Sequence, residues 1–408
     1  MDAQQQLEGD TDNPVRIGIV GIGNMGKAHV RHVIDLPNTD LAAVCDQSGE
    51  RFKIAFPGEA VAEDEKAAED KEATPDYAGI VADTAQFTDY QRMLDAADLD
   101  AVLIATPHYD HPDMSLLAFE RGLHVLVEKP IAVHVKEAER MLAGYEAAKA
   151  RHPNLVFAAM FMQRTWGHWR KIKALLESGE LGRLIRCTWI ITDWFRTQHY
   201  YDSGGWRATW SGEGGGVLMN QCPHNLDLYQ WILGMPTRVQ GFVNFGKHHR
   251  IEVEDEATAY FEHADGMIGH FITTTGESPG SNRLEIVGEN GKLVYGDGEL
   301  EFFRNEWSSI RQIREADDGF KAVPCTRELL DYEAKTSHGH EHIIANFADA
   351  ILTGAPLIAP AEEGRNSIAI NNAIILSAHK RAMVELPLDP DEFAALLEQY
   401  IAQPPAQM

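Results

Sequence analysis

Short apolar runs alternating with polar stretches set the pattern of the first third of the chain. Arg16–Val20, Leu41–Cys45, Asp100–Ala105 and Leu123–Val127 read as strands, rich in aliphatic residues and too short for independent helices. Lys27–Asp35 and Pro112–Arg121 read as helices between them. Strands alternating with helices predict an α/β fold with a doubly wound parallel sheet, a Rossmann domain over residues 14–133. Beyond about residue 150 the texture changes. Leu184–Thr192, Arg238–Phe245, Ala257–Glu262, Met267–Thr275, Arg283–Val287 and Lys292–Tyr295 read as strands, with hairpin signals at Ala264-Asp265-Gly266 and Glu289-Asn290-Gly291. They predict a second α/β domain, 134–390, with a large, mostly antiparallel sheet that has one open face and helices on the other. Glu341–Leu352 and Gly364–Arg381 are late helices that can pack back between the domains, and 1–13 and 391–408 are tails.

Length and charge narrow the picture. A chain of 408 residues exceeds one comfortable core, in keeping with two domains. With 36 basic against 62 acidic residues the formal charge is −26, which argues against nucleic acid as a partner. No apolar stretch approaches membrane-spanning length, and the polar, acidic start lacks a secretory h-region. The four cysteines, Cys45, Cys187, Cys222 and Cys325, form no Cys-x-x-Cys pair and fit reduced thiols in the cytoplasm. The acidic, Ala-rich segment 57–77 reads as a solvated helix or surface loop.

The first candidate chemistry is Gly21-Ile22-Gly23-Asn24-Met25-Gly26, placed after a strand and opening a helix. Gly21 permits a tight turn, Gly23 lets backbone approach a pyrophosphate, and Gly26 lets the helix pack close while its N–H groups face the anion. Asp46 follows about 20 residues beyond Gly26, the position of a carboxylate that accepts from a ribose hydroxyl. A carboxylate there repels a 2′-phosphate, and Gln47 and Ser48 bring no positive charge. The cofactor reading is therefore NAD.

The second is Glu128-Lys129-Pro130, at the carboxyl end of a strand, where open α/β sheets hold ligands. Lys129 there can bond a substrate hydroxyl and hold positive charge beside a nascent alkoxide. The third is Gly214-Gly215-Gly216 followed by Asn220, His224 and Asp227, which share a face if the segment is helical. Pro223 suits only a first helical turn, so Asn220 is alternatively an N-cap. His224 is the natural proton carrier near neutral pH. Four of the eight tryptophans, Trp189, Trp194, Trp206 and Trp210, fall close together among Arg196, Tyr200 and Arg207. Such a cluster serves either to stack on sugar C–H faces or to pack a core, and Trp189, within a strand, favours packing. Trp194, Tyr200, Arg207, Gln163, Arg164 and His224 are the candidate substrate contacts. The His338-Gly339-His340-Glu341-His342 run has no evident third ligand, and no metal is expected.

Taken in order, the glycine fingerprint, Cys45-Asp46 with Glu50-Arg51, Ala105-Thr106-Pro107 with His111, Glu128-Lys129-Pro130, Trp206-Arg207 and the Gly-rich His motif resemble the glucose–fructose oxidoreductase and inositol dehydrogenase family (Gfo/Idh/MocA). The resemblance runs from Val15 to about Pro390. It implies acid/base roles for Lys129 and His224, and places Arg51, Thr106, Pro107, His111, Glu128 and Trp206 near the cofactor. It also implies a homodimer or homotetramer associating through the open sheet face. One departure is Asn220, where many inositol-type members carry Asp; an amide cannot take a proton, so a His–Asp relay there is excluded. His108, often Asn in the family, is another.

These readings converge on an NAD-dependent oxidoreductase moving a hydride between nicotinamide and a secondary alcohol of a sugar, cyclitol or glycoside. The alternatives are an NAD-binding sensor or co-repressor without turnover, and an NAD-dependent redox-cycling glycosidase.

Overall fold

The computed structural model of the chain describes residues 13–53, 75–333 and 339–406, so most of the acidic segment and His338 lie outside the described residues. The chain divides into two compact units. One comprises the described residues within 1–128, 140–160 and 338–361, the other those within 129–139, 161–337 and 362–408.

In the first unit β1 (Val15–Val20), β2 (Thr39–Cys45), β3 (Ala85–Phe87), β4 (Ala101–Ile104), β5 (His124–Val127) and β6 (Phe157–Ala159) form one sheet in the order β3-β2-β1-β4-β5-β6. Every pairing is parallel. Strands covered on both faces read as unbroken apolar runs, and Ile17, Ile19, Val102, Leu103, Val125 and Leu126 are fully buried. The order reverses at β1, and its carboxyl end opens into the glycine turn. The helix that follows spans Asn24–Asp35, a little earlier than its sequence pattern predicts, and buries Gly26, His29, Val30 and Val33. The late helix Gly339–Thr353 belongs to this unit: Asn38 donates to Ala345 O and Asp349 Oδ1, at 3.1 and 2.8 Å. The other late helix, Ala361–Lys380, falls in the second unit.

The second unit is built on β7 (Leu184–Ile191), β8 (Arg238–Phe245), β9 (Glu254–Glu262), β10 (Ile268–Thr274), β11 (Asn282–Gly288), β12 (Gly291–Gly296), β13 (Glu299–Asn305), β14 (Cys325–Leu329) and β15 (Val384–Glu385). They run in the order β14-β13-β12-β11-β7-β10-β9-β8-β15. Only β7 and β10 pair in parallel; the remaining pairings are antiparallel. Burial alternates along β9 and β10, as a sheet with one covered face requires. Helices Gly167–Glu177 and Pro223–Leu233 cover that face, with Trp169 against Trp189 and Tyr229 against Phe261. Phe242, paired with Thr258, stands exposed on the other face. No helix among the described residues is long and apolar enough to cross a membrane.

Candidate active site

In the first unit the glycine turn has the geometry that a dinucleotide needs. Gly21 sits at φ +90°, and a Cβ there would lie 2.6 Å from Ala105 O. A Cβ on Gly26 would fall 1.8 Å from Gly21 O, so only glycine lets helix and turn touch. At Gly23 a Cβ would meet nothing within 4 Å, leaving the open space a pyrophosphate occupies. Gly23 caps the helix with no side-chain bond, and the first turn carries no acidic residue, so its N–H groups face outward without a competing carboxylate. Asn24 and Met25 are exposed at this end, while Ile22 is buried.

Asp46 is buried at the end of β2 and holds the turn. Its Oδ2 accepts from Ile22 N at 2.8 Å and Arg51 Nη1 at 2.9 Å, and its Oδ1 from Ser48 N at 2.8 Å. Arg51 thus brings a cation that Gln47 and Ser48 do not, a partner five residues along the chain. Beyond β4, His111 Nε2 donates to Thr106 O at 2.9 Å, and Pro107 starts a short turn containing the buried His108. His111, a candidate cofactor contact, has no exposed surface and bonds the loop after β4 at Thr106. Glu128 is buried, and its Oε1 lies 2.7 Å from Nε2 of the fully buried His29. The sequence reading passed over His29, although its spacing with Gly26, Val30 and Val33 places it on the core face of its helix.

In the second unit Lys129 meets the Gly-rich motif. Lys129 Nζ donates to the carbonyl of Asn220 at 3.0 Å. Asn220 belongs to a π-helical turn, Val217–Gln221, and Cys222 caps the next helix with Pro223 in its first turn. The N-cap alternative for Asn220 is therefore corrected. A π turn at this point fits the tendency of such insertions to mark functional sites. Gly214 is left-handed at φ +80°, and a Cβ on Gly216 would lie 1.9 Å from Glu254 O. Oε1 of Glu254 accepts from Gly216 N at 2.9 Å and Leu218 N at 3.0 Å. Complete burial pushes the Glu254 carboxyl up to about 7, against the pull of its backbone hydrogen bonds.

The polar cluster around Asn220 includes a residue that the motifs did not announce. Glu213, directly before the glycine triplet, is 1 % exposed. Its Oε2 accepts from Ala208 N at 2.6 Å, its Oε1 accepts from Asn220 Nδ2, and Arg207 Nη1 stands 3.7 Å away. Tyr200 OH meets Arg207 Nη1 at 2.9 Å, Asn220 Nδ2 at 3.2 Å and Gln221 Nε2 at 3.3 Å. Trp194 Nε1 donates to Asn225 Oδ1 at 3.3 Å, and Arg207 stacks on both Tyr200 and Trp206. Trp189 and Trp210 are instead buried in packing. His224 is buried in the first turn of its helix, edge-on to Phe161.

Asp227 and Arg164 are drawn into a different arrangement. Arg164 Nε and Nη2 bind the two oxygens of Asp227 at 2.8 and 2.5 Å, Nη1 reaches Glu363 at 2.5 Å, and Gln230 adds 3.1 Å to Asp227. Burial raises the Asp227 carboxyl and the facing guanidinium opposes it. Both members are about 1 % exposed, so Asp227, a catalytic candidate, and Arg164, a candidate substrate contact, are joined in a buried clamp. Gln163 is buried in the adjoining turn. Among the described residues no group of three or more metal-binding side chains is assembled.

Known proteins resemble both parts of the chain. Residues 15–153 match the family model described as the oxidoreductase family, NAD-binding Rossmann fold, and residues 169–294 match the GFO/IDH/MocA C-terminal domain. The chain is 26% identical over 413 residues to levoglucosan dehydrogenase of Pseudarthrobacter phenanthrenivorans, covering 91% of this chain and 98% of that one. It is 26% identical over 383 residues to inositol 2-dehydrogenase of Streptomyces avermitilis, covering 92% and 96%. The fold is shared with the WlbA dehydrogenase from Bordetella pertussis, solved with NADH and UDP-GlcNAcA: TM-score 0.72, 23% identity, 92% of this chain and 100% of that one.

Proposed function

The chain belongs to the Gfo/Idh/MocA family of NAD-binding oxidoreductases, and from that premise we propose that it oxidises a secondary alcohol of a sugar, cyclitol or glycoside, and runs the reverse reduction with the same groups. The observation that carries this reading is the 3.0 Å bond from Lys129 Nζ to Asn220 O, which brings the lysine of one motif onto the turn leading to His224 of the other. Neither residue has a mechanistic use for a glycine fingerprint that only senses a nucleotide. Relatives named for levoglucosan and inositol support the substrate class.

In the proposed mechanism bound NAD supplies the hydride acceptor. His224 takes the hydroxyl proton, and Lys129 keeps positive charge beside the oxygen as it becomes an alkoxide. Asn220 presents an amide that Glu213 already orients, and Tyr200, Trp194 and Arg207 form the polar and aromatic wall that the hydroxyls meet. In the other unit Asp46, Gly23 and the uncapped helix start form the groups that hold the coenzyme.

NAD reduction across a panel of sugars and cyclitols tests the reading. Lys129→Ala is expected to lower turnover by about 100-fold or more while NAD affinity stays within about threefold. Equal losses of turnover and NAD affinity overturn the assignment. A sensor would bind NAD and reduce none of it, and a redox-cycling glycosidase would cleave glycosides with no net NADH.

A further inference from the structure

The wall around Tyr200 is rich in hydrogen-bond donors and short of acceptors. Tyr200 O accepts from Arg207 Nη1, Asn220 Nδ2 and Gln221 Nε2, and among the described residues its own O–H meets no acceptor. Two guanidinium groups lie over its ring, Arg196 at 5.1 Å and Arg207 at 4.8 Å from the centroid. Arg196 lies over Trp194 as well, at 5.6 Å. Its Nη1 donates to Phe195 O at 2.8 Å, while Nε and Nη2, the parallel pair of the guanidinium fork, have no partner among the described residues. Asp193 acts on Arg196 only at longer range and accepts from Asn282 at 3.2 Å. Glu213 stands 3.7 Å from Arg207, but its two oxygens already accept from Ala208 N and Asn220 Nδ2, and burial works against its charge. We propose that Arg196 is an oxyanion contact of the substrate site, with Arg207 and the Tyr200 hydroxyl beside it, and that the alcohol oxidised belongs to an acidic sugar or cyclitol carrying a carboxylate or a phosphate. The inference rests on the dehydrogenase reading and narrows its substrate class.

Arg196 is held in place from several sides. Its N–H donates to Thr275 O at 3.0 Å, and its carbonyl accepts from His249 Nε2 at 2.9 Å. His249 is itself fixed by the fully buried Asp255 at 3.0 Å and lies edge-on to Tyr201. With its backbone tied and its side chain laid over two rings, the fork is oriented before a ligand arrives, which lowers the cost of binding. A hydroxyl takes one N–H, whereas two parallel N–H groups are matched by two oxygens of one group, and a carboxylate or a phosphate supplies them alike. The overall field works the other way, since a chain with a formal charge of −26 repels anions; affinity for one must come from local cations such as these. The subsite also borders the reacting centre: Tyr200 OH meets Asn220 Nδ2 at 3.2 Å, and the Asn220 carbonyl accepts from Lys129 Nζ at 3.0 Å.

The test compares matched neutral and acidic ligands. The full chain with NADH bound is titrated calorimetrically with glucose and galactose, each beside its uronate and its 6-phosphate, and with myo-inositol beside its monophosphate; the same compounds are assayed for NAD reduction. At least one acidic member is expected to bind about tenfold or more tightly than its neutral parent, a uronate if the anion is a carboxylate and a phosphate ester if it is a phosphate. Arg196→Met, which keeps an apolar stem over the rings and removes the fork, should cut that ratio by about tenfold. Arg196→Lys keeps the charge without the fork, so its ratio falls too, and it serves should the Met variant not fold. Acidic members that bind no better than their parents, or a ratio that survives both substitutions, overturn the proposal. So does a loss of NADH affinity in Arg196→Met as large as its loss of acidic ligand, which would give the arginine to the coenzyme. Acidic ligands that bind while no compound reduces NAD sink the dehydrogenase reading and leave the subsite standing, whereas NAD reduction by neutral members alone does the reverse.

Discussion

Each unit pins a glycine-rich turn with a buried carboxylate, and the two pins differ in what balances them. In the first, Asp46 takes the N–H groups of Ile22 and Ser48 and is met by the Arg51 guanidinium. In the second, Glu254 takes the N–H groups of Gly216 and Leu218, has no basic side chain on it among the described residues, and leaves its Oε2 without a hydrogen-bond partner. The local device is the same, an oxygen collecting the amides of a turn that has no room for side chains. The electrostatics are opposite. A pin with its own cation suits a turn that must stay fixed, whereas an unbalanced one couples the turn's integrity to pH.

The sharpest way to break the comparison is therefore to titrate the second pin. The Glu254 carboxyl stands at about 7 when folded against an ordinary value of 4.5, because burial penalises its charge. Between those values the folded chain keeps a proton that the unfolded chain has lost, so stability falls as pH rises through the window. The shift corresponds to a loss on the order of 3 kcal/mol by pH 7 and above. Glu254→Gln keeps an acceptor for the two amides and cannot titrate. Urea unfolding from pH 4.5 to 7.5 should show wild type weakening relative to the variant by about that amount. A difference that stays flat with pH would mean that Glu254 is balanced by something other than its backbone donors.

Substitution of the glycines sharpens the comparison by separating the two turns. A Cβ at Gly26 would lie 1.8 Å from Gly21 O, and one at Gly216 would lie 1.9 Å from Glu254 O; both neighbours are backbone and can only be displaced. Gly26→Ala is expected to weaken NAD binding by about ten- to a hundredfold, the cost of overpacking a rigid turn. Gly216→Ala should instead leave NAD affinity within about threefold and lower turnover by about 100-fold, since it moves the turn that carries Asn220 toward His224. Calorimetric titration with NAD and steady-state rates on the same variants check both. Two variants with the same profile would erase the division of labour between the turns.

Legibility also differs between the two regions. The first turn is readable because every constraint is local: a strand, three glycines at set spacing, a helix and one acid at a fixed distance. The parallel order of its sheet follows from the alternation of elements. In the second unit the alternating pattern announced the open-faced sheet and its hairpins, but β13, β14 and the helix Gly167–Glu177 carry weaker patterns and were not anticipated. Lys129, Asn220 and His224 were readable as types, whereas their supports were not. Glu213 sits in a Gly- and Ser-rich stretch, and Glu254 in a run of acids that reads as solvated surface. Burial of a carboxylate is decided by what folds over it from elsewhere in the chain, and neither period nor spacing records that. The Arg164–Asp227 clamp has the same cause: two candidates for the site, 63 residues apart, satisfy each other.

The smallest expected effect concerns the balance on the first pin. Arg51 is about half exposed, so its pairing with Asp46 contributes in the range of exposed ion pairs, about 0.2–1 kcal/mol. Arg51→Met should therefore weaken NAD binding only by a factor of a few at most. Its effect on a 2′-phosphorylated coenzyme should be larger, because the guanidinium is the cation that shields the Asp46 carboxylate. Removing it leaves the carboxylate to repel a phosphate with no screening partner, so NADP affinity falls more than NAD affinity and the preference widens. Dissociation constants for both coenzymes, measured at low and high salt, decide this. A preference that narrows on substitution would show that Arg51 acts on the dinucleotide against the phosphate, and that Asp46 holds its turn without needing a cation, as Glu254 does.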